Sequence, residues 1–248
     1  MMDFLSDYGY ILSYALAFGV MIWGLVVQGS LKRRVAAGSK IQAASYKTAN
    51  QVVEEMLRSH GVYGITIEHK PGQLTDCYSP KEGKIYLSDT TYGQSSVSAI
   101  AVAAHEAGHA VQDAENMLIY RFRQMLAPLA GLSSQAGVWI AIIGILITRA
   151  STDEYGRVSS GTGYMVSTIG IIVYCVAFLF YLVMLPVERN ASARAFKDMK
   201  EYRWVSEDQY RQAHSVLRAA GDTYAVALAS SAVTLIRLIG MRGNNRRR

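Results

Sequence analysis

Three long runs of apolar residues constrain the fold of this 248-residue chain more than any other feature. They cover residues 10–27, 126–147 and 164–186, and none contains Asp, Glu, Lys or Arg. Each run has about 18–23 residues, and a helix of about 20 residues crosses a hydrocarbon core of roughly 30 Å. A buried helix in a soluble protein is the alternative, and the second run fits it better than the other two. The runs predict a mainly α-helical integral membrane protein with three transmembrane helices.

A fourth segment, residues 224–241, is apolar and rich in alanine, but Arg237 interrupts it. The chain ends with three arginines at 246–248, and a complete crossing would export this basic tail against the positive-inside rule. We therefore expect a helix packed within the bundle or lying at the interface. A fourth membrane span is the alternative.

The charges around the first run predict its orientation. Lys-Arg-Arg at 32–34 directly follows the run, whereas Asp3 and Asp7 precede it. A signal peptide would carry basic residues on the N-terminal side and a small-residue cleavage site after the run, and neither is evident. We therefore interpret residues 1–30 as an uncleaved transmembrane anchor with its N-terminus outside.

The same rule assigns the remaining segments. Residues 31–125 are expected in the cytoplasm, residues 126–186 form two transmembrane helices joined by a short external loop, and residues 187–248 return to the cytoplasm. The net charge of +6 is explained by basic flanks that face anionic lipid of the bilayer. It therefore gives no reason to expect a nucleic-acid partner.

Residues 31–125 contain patterns of both helix and strand. Apolar spacing predicts a helix over residues 36–60, and alternation predicts short strands at 65–69 and 84–88. Asp76 and Tyr78, between the strands, are expected to order a turn. The edge of such a small sheet could accept an extended peptide by strand addition, or the strands could serve packing alone.

One pentapeptide indicates a chemistry. Residues 105–109 read His-Glu-Ala-Gly-His, within a helix predicted over 95–112 and capped by Ser95 or Ser96. Two histidines four positions apart lie on one helix face, so that His105 and His109 can both reach one Zn²⁺. Glu106 is offset from that face and can hold a metal-bound water as general base.

A catalytic zinc site takes three protein ligands and leaves one position for water. The candidates for the third ligand are His60, His69, His214 and Glu188. Glu188 follows the third apolar run, where Pro186 can open a new helix at its first turn. It would then project from a rigid element.

The chain resembles a known family in these motifs. His-Glu-Ala-Gly-His-Ala-Val-Gln at 105–112, followed by Pro-Val-Glu-x-x-Ala-Ser-x-Arg-Ala at 186–195, is similar to the YugP-type neutral zinc metallopeptidases of bacterial membranes. Further matches at 74–80, 85–88 and 216–220 extend the resemblance over nearly the whole chain. A more distant resemblance is to the HtpX-like membrane proteases, which carry His-Glu-x-x-His and a later Glu-x-x-Ala-Asp.

The resemblance implies a zincin-like catalytic part in a bacterial inner membrane, with Zn²⁺ as cofactor and a protein or peptide as substrate. It also implies Glu188 as the third metal ligand. Two positions depart from the family pattern, because Cys77 stands where we expect His and Asn190 where we expect Asp. Asn190 can still accept a hydrogen bond from a ligand histidine, but a neutral group polarises the imidazole less.

The function predicted from the sequence is a membrane-bound zinc endopeptidase with a cytoplasm-facing site. His214, Tyr224 and Arg194 are candidates for stabilising the oxyanion. A metal-stabilised membrane adaptor without proteolytic activity is one alternative, and the intact Glu106 argues against it. A protease that cuts within membrane spans is the other, and the charged residues between His109 and the second run argue against it. The sequence leaves the oligomeric state open.

Overall fold

A computed structural model describes residues 2–151 and 161–244 of the chain, with side chains from residue 12 to residue 243. Helices dominate, and a small sheet accompanies them, which confirms the predicted fold class. In chain order the elements are α1 Met2–Gly38, α2 Ala49–Ser59, β1 Thr66–His69, β2 Cys77–Ser79, β3 Lys84–Leu87, α3 Val97–Ala114, α4 Leu118–Ala150, α5 Thr162–Glu201 and α6 Tyr210–Asn244.

Four helices within the described residues are long and apolar enough to cross a membrane: Leu12–Gly38, Leu118–Ala150, Thr162–Glu201 and Tyr210–Gly243. The first three contain the predicted spans. The fourth runs through the position of Arg237 without a break, so that the alternative of a fourth span now has a helix of sufficient length. The Arg237 guanidinium lies 4.5 Å from the centroid of the Tyr14 ring, a cation–π contact that stabilises a charge among apolar residues.

The chain divides into two compact units. The apolar unit comprises Met1–Leu25, Phe122–Met184 and Tyr224–Arg248, and the motif unit comprises Val26–Arg121 and Leu185–Thr223. Each unit is therefore assembled from segments that are distant in sequence. The motif unit contains the pentapeptide and residue 188, so one compact body holds all the predicted metal ligands.

Small residues allow α4 and α5 to approach closely in the apolar unit. A Cβ added at Gly137 would lie 2.6 Å from the backbone nitrogen of Tyr174, and one added at Gly144 would lie 2.7 Å from the carbonyl oxygen of Gly163. At Gly170 the same atom would lie 2.8 Å from the carbonyl oxygen of Gly137. Backbones in such contact gain van der Waals packing, which drives helix association in a membrane.

The motif unit is built around α2, α3 and the three-stranded sheet. The sheet has the order β1-β3-β2, with β1 parallel to β3 and β2 antiparallel to it. Val53 and Met56 of α2 and Ile100 of α3 belong to one fully buried apolar core with Ile85 and Leu87 of β3. This core fixes α3 beside the sheet.

The single helix predicted over residues 36–60 is wrong. The segment 39–48 leaves the helix, and Ala43 N–H donates to the Ser95 carbonyl at 2.9 Å, while Val97 N–H donates to Ile41 at 2.9 Å. These bonds replace the helical ones and support the start of α3. Thr48 then opens α2 with a capping box, whose Thr-x-x-Gln pattern is visible in the sequence at residues 48–51.

Two further expectations fail. Residues 77–79 form the edge strand β2 rather than a turn, because Tyr78 pairs with Ile85 of β3. Three residues are too few for an alternating pattern to be visible in sequence. Pro186 lies inside α5 and does not open a new helix. A proline costs a helix one hydrogen bond, and apolar helices that pack on neighbours tolerate this loss.

The close contact between α4 and α5 predicts how substitutions will act. Gly144→Ala should lower the free energy of unfolding by about 1–3 kcal/mol, because the new methyl group meets backbone that cannot move aside. Gly131→Ala in the same helix is the control, since nothing lies within 4 Å of its added Cβ. Denaturant unfolding of the detergent-solubilised protein measures both, and equal stability of the two variants would contradict the packing.

Candidate metal centre

Helices α3 and α5 bring His105, His109 and Glu188 together. Nε2 of His105 lies 3.1 Å from Oε2 of Glu188, and Nε2 of His109 lies 3.4 Å from Oε1 of the same carboxylate. One ligand atom from each residue lies within 4.8 Å of the other two. The three side chains are 8%, 7% and 2% exposed, respectively. The two histidines of α3 and the carboxylate of α5, which are distant in sequence, therefore form one group.

A glycine within the pentapeptide makes this convergence sterically feasible. A Cβ added at Gly108 would lie 2.9 Å from the carbonyl oxygen of Ala191 and 3.3 Å from its Cα. The backbones of α3 and α5 are thus in contact at Gly108 and Ala191. Gly108 lies between the two histidines in sequence, and Ala191 lies three residues after Glu188. A glycine inside an otherwise helical pattern is a usable signal of close approach, but Gly108 was not predicted to have this role.

The electrostatics of the group favour a bound cation. A buried carboxylate is costly without a partner, and Glu188 faces two imidazoles. Burial opposes the charged form of His109, but the hydrogen bond and charge of Glu188 outweigh this and raise the pKa of His109. Two imidazole nitrogens and one carboxylate oxygen are a donor set that suits Zn²⁺ and leaves a fourth position open.

The other nitrogen of each histidine also has a partner. Nδ1 of His105 lies 3.1 Å from Oγ of Ser192, and Nδ1 of His109 lies 2.9 Å from Oε1 of Gln112. Both rings therefore present Nε2 towards Glu188. Asn190 was expected to accept a hydrogen bond from a ligand histidine. It accepts from Gln112 instead, at 2.9 Å. Gln112 therefore stands between Asn190 and His109.

Glu106 lies beside the group and contacts the sheet. Its Oε2 accepts a hydrogen bond of 3.0 Å from the backbone N–H of Tyr78 in β2. Burial raises the pKa of the Glu106 carboxyl, which makes the carboxylate a better proton acceptor. The Tyr78 hydroxyl donates to Asp113 at 2.9 Å, so that the edge strand is bound to α3 at two points.

The candidates for oxyanion stabilisation lie in different surroundings. Arg194 donates from Nη1 to Glu115 at 2.8 Å and from Nε to Asn190 at 2.8 Å. His214 is exposed, and its ring packs edge-on against Phe196 with centroids 5.0 Å apart. Tyr224 belongs to the apolar unit. Their role in the reaction stays a prediction.

Two of the other candidate ligands are histidines that each contact a carboxylate elsewhere in the motif unit. Nε2 of His60 lies 2.7 Å from Asp198, and Nε2 of His69 lies 2.6 Å from Asp89. Among the residues that the structure describes, the group of metal-binding geometry contains neither of them. The structure thus favours Glu188 among the candidates for the third ligand.

Comparison with known proteins agrees with this geometry. Residues 13–243 match a family described as "Putative neutral zinc metallopeptidase". The chain belongs to this family. It is also 30% identical over 230 residues to "Putative membrane protease YugP" of Bacillus subtilis (strain 168), a match that covers 93% of this chain and 95% of that protein. No solved structure matches.

Family membership supports the metal identity suggested by the donor atoms. Zn²⁺ is the cofactor of this family, and His105, His109 and Glu188 form a group of metal-binding geometry. Membrane association, predicted from the apolar runs, agrees with the four long apolar helices and with the printed description of the relative. The family also implies a peptide substrate.

The triad predicts a specific loss of metal. Glu188→Gln should weaken zinc binding by more than the roughly 10–100-fold typical of losing an outer partner of a ligand, because a charged ligand itself is removed. Glu201→Gln, an exposed glutamate at the end of the same helix, is the control. Zinc content and competition with a chromophoric chelator measure binding, and unchanged binding in Glu188→Gln would exclude this residue as a ligand.

Proposed function

We propose that this chain is a membrane-bound zinc endopeptidase that hydrolyses peptide bonds with a metal-activated water. The observation that carries the proposal is Glu106 placed beside a buried His-His-Glu group of ligand geometry. A purely structural zinc site usually closes its fourth position and needs no base. The combination of three ligands and an adjacent carboxylate is therefore better suited to hydrolysis than to a metal-stabilised adaptor.

Bound Zn²⁺ would lower the pKa of a coordinated water and polarise the scissile carbonyl. Glu106 accepts the proton of the attacking water at its carboxylate and later gives it to the nitrogen of the leaving amine. The Tyr78 N–H holds one oxygen of this carboxylate and so fixes its orientation. His105, His109 and Glu188 position the cofactor, and their burial keeps bulk water from competing for it.

Stabilisation of the oxyanion requires a donor near the scissile carbonyl. Of the three candidates, His214 and Arg194 lie in the motif unit, and His214 is the proposed donor. The Arg194 guanidinium already binds Glu115 and Asn190, which favours a supporting role for it over direct contact with substrate. His214 is exposed and therefore accessible to a substrate.

The position of β2 suggests where a peptide would bind. This strand lies at the edge of the sheet, and its backbone is in direct contact with Glu106 through Tyr78. An edge strand can accept an extended peptide through main-chain hydrogen bonds. We propose that substrate pairs with β2, which would place its backbone next to the base.

An intramembrane protease is less consistent with the helix that carries the motif. Among the described residues, α3 is not one of the four helices suited to crossing a membrane. It packs in the apolar core of the motif unit together with α2 and β3. The proposed substrate is therefore a peptide segment that reaches the motif unit, and not one that stays within a membrane span.

The base predicts a separation of binding from catalysis. Glu106→Gln should retain zinc at the wild-type level but lose peptidase activity by about 10²–10⁴-fold, because the amide cannot accept the proton. Glu54→Gln, an exposed glutamate of α2, should leave both unchanged. Hydrolysis of a quenched peptide library by zinc-loaded protein provides the measurement. Full activity of Glu106→Gln would exclude the mechanism.

We further propose that the motif unit faces the cytoplasm of a bacterial cell, with the N-terminus outside. The basic residues 32–34, Arg121, Arg123 and Arg189 at the ends of the apolar runs support this orientation. A complete crossing by α6 would carry the basic residues 246–248, which lie outside the described residues, to the opposite side. The side of the membrane on which the motif unit lies can be tested directly.

Thiol labelling tests the orientation. The natural Cys77 and Cys175 are changed to Ser, and the exposed Glu207 of the motif unit is changed to Cys. A membrane-impermeant maleimide should label Glu207→Cys only after spheroplasts are permeabilised. The cysteine-free protein controls for background, and labelling in intact spheroplasts would reverse the proposed topology.

A further inference from the structure

Gln112 connects a ligand histidine to α5. It lies three positions after His109 on α3 and is fully buried. Its Oε1 lies 2.9 Å from Nδ1 of His109, and its Nε2 donates to the Val187 carbonyl oxygen and to Oδ1 of Asn190, both at 2.9 Å. Every polar atom of the amide group is therefore engaged inside the protein.

The partners of Gln112 determine how its amide is oriented. A backbone carbonyl oxygen can only accept a hydrogen bond, so that the atom facing Val187 must be the amide nitrogen. The amide oxygen then faces His109 and can only accept. Nδ1 of His109 must therefore carry a proton, so that in the neutral imidazole the lone pair lies on Nε2, on the side of Glu188 and the metal position.

A second contact enforces the same orientation of the Gln112 amide. Oδ1 of Asn190 accepts from Gln112 and also from Nε of Arg194, at 2.8 Å. A guanidinium has no acceptor, which fixes the oxygen of Asn190 on this side. Arg194 is held in turn by Glu115, whose pKa is lowered by this ion pair. The chain of hydrogen bonds from this surface carboxylate to the metal ligand therefore allows only one assignment of donors and acceptors.

The other ligand histidine lacks such a constraint. Nδ1 of His105 faces the hydroxyl of Ser192, which can donate or accept. Ser192 is therefore compatible with either tautomer of His105, whereas Gln112 permits one tautomer of His109. The two imidazoles have different outer partners although they stand on the same face of α3.

We propose that Gln112 is a positioning residue that holds His109 as its Nδ1–H tautomer, so that Nε2 is available to bind zinc. Asn190, Arg194 and Glu115 form its outer support. The inference rests on the zinc site of the proposed function but does not depend on peptide hydrolysis. It also assigns Asn190 a role that differs from direct contact with a ligand.

Two substitutions at one position test this role. Gln112→Met keeps the length of the side chain but removes its hydrogen bonds. Gln112→Glu keeps an acceptor for Nδ1–H, and in the protonated form that burial favours, its second oxygen can donate to the Val187 carbonyl. The full-length protein in detergent is assayed for zinc affinity by chelator competition. Histidine labelled with ¹⁵N reports the tautomer of His109 in the zinc-free protein at a pH above the pKa of this histidine, where the ring is neutral, and only five histidines contribute signals.

Gln112→Met should lose about 10–100-fold in zinc affinity, and His109 should then populate both tautomers. Gln112→Glu should recover most of the affinity and keep the Nδ1–H form. Gln94→Met, the same substitution at an exposed position of the motif unit, is the matched control. It should leave both zinc affinity and the tautomer of His109 unaltered.

Three results would overturn the proposal: wild-type zinc affinity in folded Gln112→Met, an unchanged tautomer of His109 in that variant, or an equal loss of zinc in Gln94→Met. Circular dichroism confirms folding. If Gln112→Met does not fold, Gln112→Glu decides, because loss of zinc or of the Nδ1–H form there contradicts the role. The predicted changes in zinc affinity and tautomer, found in a protein whose wild-type form hydrolyses no peptide, would instead count against the proposed function alone.

Discussion

The metal centre depends on the contact between the backbones of α3 and α5. Gly108 and Ala191 meet where a single added Cβ would lie 2.9 Å from a carbonyl oxygen. Glu188 lies one helical turn before Ala191, and the two histidines flank Gly108, so that the helix separation sets every distance in the group. Any side chain at position 108 would move the carboxylate away from both imidazoles. The close contact between the helices and the distances between the predicted ligands therefore both depend on the glycine at position 108.

The same device recurs in the apolar unit, where α4 and α5 meet at Gly137, Gly144 and Gly170. In both places small residues replace bulky apolar ones, and the energy of association comes from backbone packing. The reasons differ. In the apolar unit close packing compensates for the absence of a hydrophobic driving force between helices in lipid. In the motif unit it brings ionisable groups within reach of one ion.

The elements predicted correctly from sequence are those specified by local periodicity. The apolar runs, the strands near 66 and 84, the Ser96 cap and the facing histidines all follow from spacing along the chain. The failures depend on partners distant in sequence. The break at 39–48 exists because its backbone bonds to the segment before α3, and β2 exists because β3 pairs with it. The role of Gln112 could not be predicted from sequence, because it depends on where the Val187 carbonyl lies. A glutamine three positions after a predicted ligand histidine was nevertheless a visible signal.

The bond from Gln112 to Val187 uses the main chain of α5 and not its side chain. Every amino acid at position 187 would offer the same carbonyl acceptor. Substitutions at that position can therefore alter packing without changing the orientation of the Gln112 amide. Asn190, by contrast, contributes through its side chain, and its replacement changes the number of anchors from two to one. The orientation of the Gln112 amide is therefore more sensitive to substitution at position 190 than at position 187.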